Sequence, residues 1–173
     1  MDHVEITRAS QEDAEIILHL QMHAYLSEAE IYNDYSIPPL IQTLKEIRQE
    51  FSQQVFLNAL EEGEIVGSVR AYLEKKTAYI GRLMVKPDSQ NKGIGTRLMQ
   101  AIEEHFRKAD RYELFTGHRS ARNLYLYRKL GYREFKRVPV NDLIILVFLE
   151  VDNTNQEGGQ NYNSFGSQIV IFG

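Results

Sequence analysis

The sequence predicts an α/β (α+β) domain, and three stretches carry that prediction. Tyr79 to Val85 is rich in β-branched and large apolar residues, Pro87 then removes a ladder donor, and Ile94, Leu98, Ala101, Ile102 and Phe106 follow at helical spacing. A strand therefore turns into a helix around the glycine pair Gly93 and Gly95. Upstream, Val55–Leu60 and Ile65–Leu73 flank the polar turn Glu61-Glu62-Gly63-Glu64 and read as a hairpin. Downstream, the helical stretch Arg119 to Leu130 is closed by Gly131.

The remaining elements follow in order. Val4 to Arg8 alternates as a short strand, and Ser10 with Asp13 forms a capping pair that opens a helix. Ala14, Ile17, Leu18, Gln21 and Tyr25 share one face of it, and the helix is expected to end near Ser27. An acidic, tyrosine-bearing segment, Glu28 to Pro39, reads as a loop between helices. A second helix is expected from Pro39, because Leu40, Leu44, Ile47 and Phe51 are spaced by helical turns and proline suits a first turn. Tyr112–Thr116, Arg133–Val138 and Leu143–Leu149 supply further strands, the last apolar on both faces as a strand in mid-sheet would be. Residues 1–150 form the expected domain, and 151–173 a polar linker with a terminal strand-like tail, Ser167 to Phe172. Such a strand could add to a sheet edge of its own chain or of a neighbour, the latter giving a homodimer.

Composition removes several classes of function. At 173 residues one core is the default, burying roughly two thirds of the unfolded chain's surface. A net charge of −4 gives no electrostatic reason to expect nucleic acid or an anionic membrane as partner. Without cysteine there is no disulfide, thiol nucleophile or thiolate metal site, and His3, His19, His23, His105 and His118 share no ligand spacing, so no metal is expected. The N-terminus lacks the basic and apolar regions of a signal peptide, and no apolar run is long enough to span a bilayer. The expected location is the cytoplasm.

The glycine pair is the centre of the functional reading. Gly93 and Gly95 allow close backbone approach, and the first helical turn leaves N–H groups without intrahelical partners, which together make an anion site suited to phosphate. A P-loop is excluded because Lys92 precedes Gly93 instead of following a second glycine, and a dinucleotide fingerprint is excluded because Leu98 stands where a third glycine or alanine belongs. Gln90-Asn91-Lys92-Gly93-Ile94-Gly95 instead resembles the acyl-CoA loop of the GNAT acetyltransferase superfamily, Gln/Arg-x-x-Gly-x-Gly/Ala. A second stretch, Asn123 to Tyr132, resembles that superfamily's helix ending Leu-Tyr-x-Lys-x-Gly-Phe/Tyr, with Ser120, Asn123 and Tyr127 on one helical face. The resemblance covers about residues 4 to 150.

The resemblance implies a mixed, mainly antiparallel sheet flanked by helices, split between Tyr79–Val85 and Tyr112–Thr116. It implies N-acetyl transfer from acetyl-CoA to a primary amine, a small molecule or a peptide, by direct attack in a ternary complex. Gln90, Asn91, Lys92, Gly93, Ile94, Gly95 and Thr96 would hold the pyrophosphate. Leu83, Met84 and Val85 would pair with pantetheine and polarise the thioester carbonyl, and Ser120 or Asn123 would bond the pantetheine arm. Arg97, Arg119 and Arg122, with Lys92, are further phosphate candidates. Tyr127 matches the tyrosine that protonates the departing thiolate, a credible role for a phenol of pKa near 10.

One departure stands out. Several members carry a glutamate on the strand before the loop as the base, whereas Ala78 to Val85 contains no carboxylate and has Arg82 in its middle. Glu28, Glu30, Asp34 or Glu74 could take the proton or hold a cationic amine, with Glu28, Asp34 and Tyr35 as candidate acceptor contacts. The missing carboxylate also supports an alternative, a non-catalytic CoA-binding sensor or interaction domain.

Overall fold

A computed structural model describes residues 3–153. The seven strands form one sheet in the order β1-β2-β3-β4-β5-β7-β6: β1 Val4–Arg8, β2 Val55–Glu61, β3 Glu64–Glu74, β4 Thr77–Val85, β5 Arg111–Gly117, β6 Arg133–Pro139 and β7 Ile145–Asp152. Every neighbouring pair is antiparallel except β4 and β5. That parallel ladder covers only Thr77, Ala78 and Tyr79 against Arg111, Tyr112 and Glu113, so the two strands part after Tyr79. The predicted mixed, mainly antiparallel sheet with a split at this pair is what the chain adopts, and β7 lies between β5 and β6 as its two apolar faces require.

Helices cover both faces. On one face α4, Ile94–His105, and α5, Ala121–Lys129, pack Ile94, Leu98, Met99, Ile102, Leu124 and Tyr127 against Val69, Ala71, Ala78, Ile80, Leu114 and Leu149 of the sheet. On the other, α1 (Ala14–Tyr32), α2 (Pro38–Ile41) and α3 (Leu44–Glu50) bury Ile17, Tyr25, Tyr32 and Ile47 against Phe56, Met84 and Leu146.

Two helix limits differ from expectation. The first helix does not end near Ser27 but runs to Tyr32, closed by Asn33 in the left-handed conformation (φ 49°). Glu28 and Glu30 are good helix formers, and Ala29 and Tyr32 continue the buried stripe, so the acidic segment begins as the last helical turns and not as a loop. The second helix is not continuous from Pro39. Gln42 is extended (ψ 135°), and Thr43 opens a new helix by a capping box in which its hydroxyl accepts from the Glu46 N–H while Glu46 accepts from the Thr43 N–H. The last strand is Ile145–Asp152 in place of Leu143–Leu149, since Asn141 turns the chain by accepting from the Leu143 and Ile144 amides. The predicted tail strand, and the homodimer it suggested, lie outside the described residues.

One irregularity in β4 shapes everything that follows. The β3–β4 register shifts between Ser68 and Arg70, and Arg82 has φ 51°, so β4 carries a bulge there. The bulge exchanges the faces of the strand. Before it, Ala78 and Ile80 face α4 and α5; beyond it Leu83 and Val85 do, while Met84 packs on the α1 side and Arg82 stacks toward Tyr25 of α1.

Candidate functional site

The parting of β4 from β5 leaves the end of β4 without a strand partner on that side, and a groove of about 640 Å³ opens there. Its floor is Leu83, Met84 and Val85, one wall is the loop and first turn of α4, and the other is the start of α5. The C-terminal half of α1 closes it with Tyr25, Ser27, Glu28 and Ile31.

The loop wall is an anion cradle built by its backbone. Asn91 (φ 62°) and Gly93 (φ 78°) take left-handed conformations that turn the chain into α4. The first helical N–H···O bond is Arg97 to the Gly93 carbonyl, so the amides of Ile94, Gly95 and Thr96 precede the ladder. Gly95 sits in a close approach: a Cβ there would meet Leu126 Cδ2 at a tight 3.3 Å, and Leu83 Cδ2 and Val85 Cγ2 at 4.0 Å. Gln90 ties the loop down, donating to the Val85 carbonyl at 3.1 Å, and Arg122 of α5 donates to Gln90 and, at 3.1 Å, to Asn91 Oδ1. Arg122 is thus held at the groove by neutral amides and brings its full charge to it.

Of the residues that the resemblance assigns to acetyl-CoA, Leu83, Met84, Val85, Gln90, Asn91, Gly93, Ile94, Gly95, Thr96, Ser120 and Asn123 are brought together as the lining of the groove. Lys92 does not: it pairs with Glu61 at 3.0 Å, and that contact is the main cause holding the Glu61 carboxyl below its usual range. Arg97 and Arg119 are not among the lining residues, which leaves Arg122 as the lining member of the four basic phosphate candidates. Asn123 donates to Thr116 Oγ1 at 3.3 Å. Tyr127, the expected acid, is not among the groove-lining residues: it is 4% exposed and packs in the core with its ring near Tyr132, where burial raises its hydroxyl well above the ordinary phenol range.

Of the four carboxylates considered as base, only Glu28 lines the groove. The Asp34 carboxylate is occupied by the Ser36 N–H and hydroxyl, Tyr35 is exposed at 55%, and neither lines the groove, nor do Glu30 and Glu74. Glu28 ends a short relay. The Arg119 N–H donates to the Tyr32 oxygen at 2.9 Å, the Tyr32 and Ser120 hydroxyls lie 2.9 Å apart, and the Ser120 hydroxyl donates to Glu28 Oε2. Since Ser120 has one proton and gives it to Glu28, Tyr32 is the donor to Ser120. Ser120 is therefore engaged in holding Glu28. Burial raises the Glu28 pKa above the ordinary carboxylate value, with the Ser120 bond opposing the shift. The relay depends on Gly117, where any Cβ would stand 2.0 Å from the Tyr32 hydroxyl. His118 caps a strand, its Nδ1 accepting from the Ile145 N–H at 3.0 Å.

Sequence reasoning did not foresee the side chains that α1 contributes beyond Glu28, because Tyr25 reads there as core. It also missed a buried network under α2 and α3. Gln21 Nε2 donates to Gln42 Oε1 (2.9 Å), Gln42 Nε2 to Glu50 Oε1 (2.6 Å), Arg70 Nη1 to Glu50 Oε2 (2.5 Å) and Arg70 Nη2 to Gln21 Oε1 (2.5 Å), closing a ring of four side chains. The one signal in the sequence was a charged residue, Arg70, inside an otherwise apolar strand. Among the described residues no set of His, Asp and Glu side chains is grouped to hold a metal, and no helix is long and apolar enough to cross a membrane.

The comparisons with known proteins meet this geometry. A UPF0157 protein, YqkA of Bacillus subtilis, is 31% identical over 151 residues, covering 86% of this chain, while the chain spans 41% of that relative's length. Among solved structures, YncA of Salmonella typhimurium, a putative acetyltransferase with its cofactor acetyl-CoA, superposes with a TM-score of 0.70 at 19% identity, covering 91% of this chain and 98% of its own. The ribosomal-protein-S18-alanine N-acetyltransferase of Escherichia coli gives 0.74 at 16% identity over 93% and 100%, and the PaiA N-acetyltransferase of Thermoplasma acidophilum in complex with coenzyme A gives 0.62 at 22% over 84% and 98%. These likenesses establish the shared fold. The family match itself runs over residues 16–132, from α1 through the glycine loop to the end of the α5 motif, and so takes in every wall of the groove: the chain belongs to the acetyltransferase (GNAT) family.

Proposed function

We propose that the protein transfers the acetyl group of acetyl-CoA to a primary amine by direct attack in a ternary complex. The observation that carries this reading is the groove where β4 leaves β5, bounded at one end by the amides of Ile94, Gly95 and Thr96 and floored by an unpaired strand edge. A pyrophosphate suits the first, and an extended pantetheine arm suits the second by strand-like pairing. Arg122 adds charge complementarity for the phosphates.

In this mechanism the amine lone pair attacks the thioester carbonyl carbon, and the main-chain amides near Val85 stabilise the developing oxyanion. The C–S bond then breaks, the amine proton passes to Glu28, and the thiolate takes its proton from Tyr127. Burial raises the Tyr127 pKa and so makes it a weaker acid than a free phenol, and the proposed role rests on its place in the α5 motif and not on that shift. Much of the acceleration comes from holding two reactants in register.

Release of free CoA thiol across a panel of amines, with a thermal shift by CoA measured in the same wells, tests the reading. Amine-dependent release supports it. A thermal shift without release favours the sensor reading, and absence of both contradicts the phosphate cradle.

Tyr127→Phe is expected to lower kcat by about 100-fold while CoA affinity stays within about twofold, since the lost hydroxyl acts only on the leaving group. An unchanged kcat would remove Tyr127 from the chemistry. Glu28 must be ionised to accept a proton, so kcat/KM is expected to fall as pH drops through its raised pKa. Glu28→Gln should abolish that acid limb and lower the rate by about 100-fold. An acid limb that persists in the variant would belong to the amine and would dismiss Glu28 as base.

A further inference from the structure

Beside the groove, on the α2–α3 side, lies a second cavity of about 440 Å³ lined by Pro38, Ile41, Gln42, Glu50 and Arg82 among others. Arg82 reaches it because the β4 bulge turns this residue away from the α4 face. Arg82 is 7% exposed, and its Nη1 is buried with no hydrogen-bond partner among the described residues. A buried guanidinium with an unmet donor costs free energy unless something anionic completes it.

The local charges do not complete it. Arg70 and Arg82 are both buried, and the one carboxylate between them, Glu50, is already bonded to Arg70 and Gln42. Glu46, also at this cavity, faces solvent and is engaged by Thr43. The cavity therefore presents one guanidinium more than its buried carboxylates balance. Gln49 and Gln53 on its rim are neutral, and Pro38 and Ile41 give it an apolar side.

Its position connects it to the reaction. Arg82 stands over the ring of Tyr25, 5.9 Å from the centroid, and Tyr25 lines the groove beside Glu28. Leu83, the next residue after Arg82, forms the groove floor. Arg82, which lines the cavity, and Tyr25, which lines the groove, therefore bring the two cavities to either side of one ring contact.

Building on the acetyl-transfer reading, we infer that the acceptor is a small primary amine carrying a carboxylate, an amino acid with an apolar side chain, and that Arg82 binds this carboxylate in the α2–α3 cavity. Arg82 is then a specificity determinant, and the strand residue that departs from a glutamate serves substrate choice. A phosphate on the amine presents similar oxyanion chemistry, and the test separates the two.

The experiment compares leucine with 3-methylbutylamine, which lacks only the carboxylate, and with O-phosphoethanolamine. It reads thiol release and, independently of turnover, calorimetric binding to the CoA-loaded protein. Leucine is expected to exceed 3-methylbutylamine in kcat/KM by at least 50-fold. Arg82→Gln should collapse that ratio at least tenfold through KM, and Arg82→Lys should restore part of it, with the CoA thermal shift confirming that each variant is folded. If the bare amine equals or exceeds leucine in the unaltered protein, or if O-phosphoethanolamine alone is bound, the carboxylate assignment is overturned without any variant. Should no amine release thiol, the acetyl-transfer reading fails by itself, and calorimetry still decides the site: leucine binding that Arg82→Gln removes supports it, and no binding overturns it.

Discussion

Gly95→Val is expected to weaken CoA binding by at least 100-fold, about 2.7 kcal/mol, while the protein remains folded. The residue stands where three elements converge: its missing side chain would touch Leu126 of α5 at 3.3 Å and Leu83 and Val85 of β4 at 4.0 Å. A first carbon is tolerable only if Leu126 yields by a few tenths of an ångström. The two further methyls of valine must either push α5 away from α4 or lift the first turn off the strand, with an overpacking cost of about 1–3 kcal/mol. Both movements widen the cradle that brings the Ile94, Gly95 and Thr96 amides to one anion. Titration calorimetry with CoA measures the loss, and an affinity within threefold of the unaltered protein would mean that the phosphate binds elsewhere.

The largest effect on stability is expected from Glu50→Ala, at about 3 kcal/mol and a fall in melting temperature of roughly 6–12 °C. The ring of Gln21, Gln42, Glu50 and Arg70 is not a strong net source of stability, because burial pulls the Arg70 pKa down, Glu50 only partly offsets that, and the net value is about 10. Breaking it from one side is another matter. Without Glu50, Arg70 keeps its bond to Gln21 and its stacking on Phe56 at 4.5 Å but loses its counter-charge while 2% exposed, and Arg82 loses the favourable field of the Glu50 carboxylate. The double variant Glu50→Leu with Arg70→Met, which removes both charges and refills the space, should recover much of the loss. A Glu50→Ala melting point within 2 °C of the unaltered protein would contradict this.

Much of the fold was legible because its signals are local. Alternation of apolar residues marked the strands, the Gly63 turn marked the hairpin, and the glycine pair after Pro87 marked the strand-to-helix loop. The loop residues of the groove were legible for the same reason: an anion cradle made of backbone needs glycine and a helix start, and both are contiguous in the chain.

The rest depended on tertiary facts. Thr43 to Glu46 is a helix start embedded in apolar spacing that continues unbroken from Leu40 to Phe51, so periodicity alone joined α2 to α3. The bulge at Arg82 is a one-residue slip, and no periodicity reports which side chains exchange faces beyond it. Glu28 could not be separated from Glu30 and Asp34 until α1 was seen to continue to Tyr32 and to bring only the first of them against Ser120. Lys92 looked available for phosphate because its partner, Glu61, lies on a strand that the sequence does not show to be adjacent.

The central claim is that acetyl-CoA lies along the edge of β4 and against the first turn of α4. Backbone amide chemical shifts followed during titration with acetyl-CoA test it most directly. The account predicts that the largest changes fall on Leu83, Met84, Val85, Ile94, Gly95 and Thr96, with Ser120 and Asn123 following at the same ligand concentration, and that Gly95→Val suppresses them together. Changes confined to other surfaces, or none at saturating acetyl-CoA, would contradict it.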